Sequence, residues 1–237
     1  MFRCTGLNGL RMGRRKVLLW TAGLNGPQSW KTFISNDLSM LNGNGFKYGG
    51  VILNDRDKAI ENVMKFLEDE KKKVLLVRGY DNDAKVRVVL YCLNEIFNRG
   101  IIRTSNKMND VARSINSAFE EELLPSSIKS TTTYKLGRMI VKINSYEGRT
   151  RSNPSGNEST FTLYYPVQSA LDDSKRYTNL LSEIEKTNSG KIILITTNEW
   201  GIKSWDIENY VDEVFFYDVE NENPELMSNL RNNGEIQ

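Results

Sequence analysis

A chain of 237 residues, 39% hydrophobic and 26% charged, carries enough apolar content for one large packed domain and is too apolar to be disordered throughout. No apolar run reaches the roughly 18–20 residues of a membrane span, and Gly23, Asn25 and Gly26 interrupt the run after Lys16 too early for a secretory signal; the expectation is a cytoplasmic protein with no membrane partner. Histidine is absent and the two cysteines, Cys4 and Cys92, have no metal spacing, which excludes Ser-His and Cys-His nucleophile pairs, histidine-ligated zinc and a disulfide framework.

Residues 1–50 ("GLNGLRMGRR", "LNGNGFKYGG") are rich in Gly and Asn and read as an irregular leader around one strand at Lys16–Thr21. Residues 51–237 carry the regular pattern. In "NDRDKAIENVMKFLEDEKKK", Ile60, Val63, Met64 and Leu67 share one helical face, with Asn54 or Asp55 as the cap. "KKVLLVRG" follows as a buried strand. Val86, Val89, Leu90, Leu93 and Phe97 make the inner face of a second helix, opened by Asn82 or Asp83, and Cys92 on that face reads as a buried thiol. After the short strand "IIRTS", Asn109 or Asp110 caps a third helix that ends at Pro125.

"YKLGRMIVKINSY" alternates as a strand, "EGRTRSNPSGNEST" is a polar loop, and "FTLYYPVQ" is strand-like. "DDSKRYTNLLSEIEKTNSG" predicts a capped amphipathic helix, and "KIILITTNEW" and "DEVFFYDVE" are the last strands. Strands separated by helices of this length pair in parallel. The expected fold is α/β, a three-layer sandwich with a mainly parallel central sheet. A small antiparallel hairpin is expected from the two middle strands.

Residues 79 to 86, Gly-Tyr-Asp-Asn-Asp-Ala-Lys-Val, follow a buried strand and open a helix, which is the setting of the phosphate loop G-x-x-x-x-G-K-[ST]. Gly79 and Lys85 match it. Ala84 stands where a second glycine lets N–H groups turn inward, and Val86 stands where a hydroxyl would hold magnesium. Asp81 and Asp83 would repel a polyphosphate. Two readings stay open at this point: a phosphate site reduced to Gly79, Ala84, Lys85 and Val86, or a capped helix start with Lys85 in solvent.

The stretch "LNDRDKAIENVMKFLEDEKKKVLLVRGYDNDAKV" resembles the opening of AAA+ and related P-loop ATPases of the replication-initiator type. "KIILITTNEW" resembles their sensor strand, which implies Thr197 or Asn198 near a γ-phosphate, and "YVDEVFFYDVENENPELM" resembles the strand and turn that follow. The resemblance implies a P-loop NTPase-like domain with ATP and Mg²⁺ as the cofactors to expect. It departs at the second motif, where "TLYYPVQSALDDSKRYTNLL" puts Tyr165 and Pro166 at the places of the Asp that organises magnesium and the Glu that orients water. Asp172 and Asp173 come later, at a helix start where capping is their expected role; a shifted alignment would draw on Asp218 or Glu220. With the hydroxyl and both carboxylates missing, the expectation is no catalytic residue and no efficient hydrolysis.

The net charge of +2 is unevenly spread. Residues 126 to 151 carry Lys129, Lys135, Arg138, Lys142, Arg149 and Arg151 against Glu147 alone, whereas from Trp205 onward nine acids face Arg231. Arg138, Lys142, Arg149 and Arg151, near Tyr134 and Tyr146, suit a nucleic-acid backbone, and equally suit a solvated hairpin. The family also places an arginine on a neighbour's site, which makes Arg149 or Arg151 a relic of a homo-oligomer or of an active ATPase partner. The leading expectation is a degenerate P-loop ATPase-like protein, DNA-associated or an assembly component. The alternatives are an atypical active ATPase of DNA replication or processing, and a metal-dependent nuclease built on the E-x-K of "EDEK" and "EIEK".

Overall fold

A computed structural model describes residues 54–147, 156–197, 199 and 206–236. Asn54 caps α1 (Asp55–Glu68): its Oδ1 accepts the Asp57 N–H at 2.7 Å, satisfying a donor that a helix start leaves free. β1 (Val74–Gly79), α2 (Asn82–Ile96), β2 (Arg99–Thr104) and α3 (Met108–Phe119) follow. β3 (Thr133–Leu136) and β4 (Met139–Ser145) form a hairpin that turns at Gly137, φ 63°. After β5 (Phe161–Tyr164) come a short α4 (Gln168–Leu171) and α5 (Ser174–Lys186), the latter capped by Asp173, whose Oδ1 accepts the Arg176 N–H at 2.9 Å. β6 (Lys191–Ile195), a 3-10 turn (Ile207–Tyr210), β7 (Glu213–Tyr217) and α6 (Pro224–Asn232) complete the order.

Among the described residues seven strands form one sheet in the order β3-β4-β2-β5-β6-β1-β7, and every pairing except β3–β4 is parallel. Strands such as β1 and β6 are apolar at successive positions because both of their faces are covered. Leu75 and Val77 point into a core shared with Val63 of α1, Val89 of α2, Ile115 of α3 and Met227 of α6. Val74 and Leu76 point into a second core with Leu171 of α4 and Tyr177, Leu180 and Ile184 of α5. The protein is α/β with helices on both faces of the sheet. No helix among the described residues is long and apolar enough to cross a membrane.

Three local expectations are corrected. The antiparallel pair, apart from Thr133, lies within "YKLGRMIVKINSY", while "FTLYYPVQ" supplies β5, which is parallel to both β2 and β6. Asn109 does not cap α3, which starts after Lys107 without a side-chain cap; its Oδ1 instead accepts the Ile128 N–H at 2.8 Å and pins the following loop. The helix ends before Pro125, at Glu120 in the left-handed region (φ 52°), where the Glu120 and Glu121 N–H groups close onto the last carbonyls.

Candidate functional site

In an open parallel sheet, ligands bind outside the carboxyl ends of strands whose following connections leave toward opposite faces. Two such points are found among the described residues. β2 leads into α3 on the first face while its neighbour β5 leads into α4 and α5 on the second. β1 leads into α2 on the first face while its neighbour β6 is followed by Ile207, which packs on the second. The described residues matched to the phosphate loop, the sensor strand and the second motif stand at these carboxyl ends.

β1 ends at Gly79 with φ +135°, and a Cβ there would sit 2.5 Å from the Tyr217 carbonyl oxygen, so the β1–β7 contact demands glycine. Only Tyr80 and Asp81 separate the strand from α2. Asp81, not Asn82 or Asp83, is the cap: its Oδ1 accepts the Ala84 N–H at 2.8 Å, and its Oδ2 accepts Asn223 Nδ2 at 2.9 Å. A phosphate loop needs several consecutive N–H groups turned into one hollow; here residues 82–86 are already helix. Ala84 and Val86 are buried in the first core. Lys85 is fully buried instead of solvated, and its Nζ donates to the Gly79 carbonyl. Loss of solvation pulls the Lys85 pKa down to about 8, against partial support from Glu199 and Asp81.

At the end of β6, Thr196 is buried, and its Oγ1 donates to Glu199 Oε1 at 3.1 Å. Glu199 is the residue that sequence reasoning missed. Its carboxylate is buried, accepts the Gly79 N–H at 2.9 Å, and pairs with the Arg78 guanidinium at 2.7 Å. It locks the end of β1 to the segment after β6. The available signal was an arginine ending one buried strand and an acid just past another. Thr197 is half-buried beside the site, and Asn198 lies outside the described residues.

Between α2, α3 and the ends of β5 and β6 lies a cleft of about 430 Å³, lined in part by Asp83, Asp110, Arg113, Ser114, Tyr165 and Thr197. Arg113 is bonded to Asp110. Burial raises the Asp83 pKa, with Asp81 and Glu120 adding to the effect and Arg87 opposing it. Tyr165 is buried at the end of β5, its hydroxyl bonded to Ser114 and its pKa raised to about 12 by burial. The cleft brings two aspartates and one arginine toward a phenol that stays protonated at neutral pH. Among the described residues no group of His, Cys, Asp and Glu side chains converges as a metal site.

Of the basic candidates, Arg138 and Lys142 are not brought to this cleft. Arg138 follows the hairpin turn and holds the end of α2, its Nε and Nη2 donating to the Asn94 and Glu95 carbonyls. Lys142 is half-buried on β4, and Arg149 and Arg151 lie outside the described residues. No protein-family model matches the chain, and no curated protein matches it in sequence.

Proposed function

We propose that the chain is a degenerate P-loop ATPase-like protein that works as a binding and assembly component and does not turn over ATP efficiently. The observation that carries this is the occupied first turn of α2. Asp81 accepts the Ala84 N–H where a phosphate oxygen would sit in a phosphate loop, and the Lys85 ammonium is bonded to the Gly79 carbonyl. Support also comes from Tyr165, which the resemblance aligns with a magnesium-organising carboxylate and which offers a protonated phenol to the cleft instead. Calorimetric titration with MgATP tests the reading: a dissociation constant weaker than about 1 mM is expected, equivalent to less than about 4 kcal/mol of binding. Micromolar binding that is lost in Lys85→Ala would overturn it.

DNA contact belongs to the same proposal and falls to Lys142, Arg149 and Arg151, because Arg138 is engaged with the end of α2. A gel-shift series in increasing salt is expected to give weak binding with a shallow salt slope, in keeping with the few phosphates these residues can neutralise. Binding unaltered when all three are changed to Gln would remove DNA from the proposal.

A further inference from the structure

Among the described residues β7 is the last strand of the sheet, paired only along its inner edge to β1. Its other edge presents backbone donors and acceptors with no strand against them, the arrangement that proteins normally protect or use for pairing. Phe215 and Tyr217 face the first core. Val214 and Phe216, on the opposite face, are 40% and 43% exposed, and Tyr210 before the strand is 47% exposed. Tyr80 meets Phe216 edge to face at 5.6 Å and extends the same apolar surface. Both ends of the strand are acidic, with Asp212 and Glu213 at its start and Asp218 and Glu220 after it.

Charge argues against a second copy as the cover. An antiparallel pairing of β7 with itself, centred on Phe215, would bring Val214 to Phe216 but Asp212 to Asp218 at both ends. Like charges opposed across a strand pair destabilise it. The suitable occupant is an apolar strand with a basic end, and the chain contains one in "RRKVLLWT", residues 14 to 21. Those residues lie outside the described ones. The described chain begins at Asn54, and Asp55 Oδ2 accepts the Asn221 N–H at 2.7 Å, which sets the start of the described chain beside the turn after β7. The residues between Thr21 and Asn54 span far more than one strand length at about 3.3 Å each.

We propose that Lys16–Thr21 adds to the free edge of β7 as an eighth, antiparallel strand. Backbone hydrogen bonds along the edge supply the attachment, and alternate apolar side chains cover Val214 and Phe216. The antiparallel sense sets Arg14, Arg15 and Lys16 beside Asp218, whose neighbour Glu220 is already paired with Arg231.

Hydrogen exchange on the full chain, read by mass spectrometry, tests this. Amides of residues 17–20 are expected to exchange at least about tenfold more slowly than in an unstructured chain. Val214→Lys combined with Phe216→Lys is expected to abolish that protection while β1 stays protected. Should the double variant fail to fold, Leu18→Pro serves instead, and is expected to speed exchange in residues 213–217 while leaving β1 unchanged. The proposal is overturned if residues 17–20 exchange freely in the unaltered chain, or if their protection survives the lysine changes. Protection that grows with protein concentration, together with a dimeric mass in sedimentation, also overturns it, since the strand would then come from a second copy.

Discussion

Lys85 is the side chain whose setting differs most from a solvated helix lysine, and its burial has a consequence for stability. Its pKa is pulled to about 8 from the ordinary 10.5. Below pH 8 the folded and unfolded chains both hold the proton, and the cost of burying it is fully present. Between pH 8 and 10.5 the unfolded chain still holds the proton that the folded chain has released, so this residue makes stability rise with pH. Tyrosines with raised pKa, Tyr91 and Tyr165 among them, act in the opposite direction once the unfolded chain ionises near about pH 10. Lys85→Met is therefore expected to be more stable than the unaltered chain at pH 7 by about 1–2 kcal/mol, with the gap closing by about pH 9.5. Urea melts across that range measure it, and a gap independent of pH would contradict the burial argument. The spacing of Lys85 from Gly79 was legible in the sequence. Its burial was not, because that depends on which of three adjacent polar residues caps α2, and Asp81 is chosen by Asn223 from far along the chain.

At the scale of elements, α5 is attached to the sheet by a charged pair as well as by its apolar stripe. Arg103 of β2 is 4% exposed, lies over the Tyr164 ring, and pairs with Glu183 of α5 at 2.7 Å. Removing the acid leaves a buried guanidinium without its counter-charge, whereas removing the arginine leaves a glutamate that already reaches solvent. Glu183→Ala is expected to cost about 3–5 kcal/mol and Arg103→Met distinctly less. Equal losses in denaturant melts would show that the pair's geometry matters more than its desolvation. The strands β1 and β6 were readable because burial on two faces writes a continuous apolar run. The β3–β4 hairpin was not, because a lone glycine, Gly137, turns the chain inside an alternating pattern that continues on either side. Asp173 was legible as a cap, since a polar residue directly before an amphipathic run has few other roles.

For the whole molecule, the succession of strands and helices pointed to a parallel sheet, but the strand order β3-β4-β2-β5-β6-β1-β7 rests on contacts between distant segments that no local pattern encodes. That order is what gathers the ends of β5 and β6 beside the starts of α2 and α3 around one cleft. It also explains why Glu199 was missed: its partners, Arg78 and Gly79, become neighbours only when β6 lies beside β1. The central proposal is that the strand-to-helix turn matched to a phosphate loop is filled by the chain's own Asp81 and Lys85 and does not turn over ATP efficiently. Steady-state phosphate release from MgATP by the full chain, alongside Lys85→Ala, tests this most directly. The expected result is no release above the enzyme-free background in either protein. Magnesium-dependent turnover in the unaltered chain that disappears in Lys85→Ala would contradict the claim.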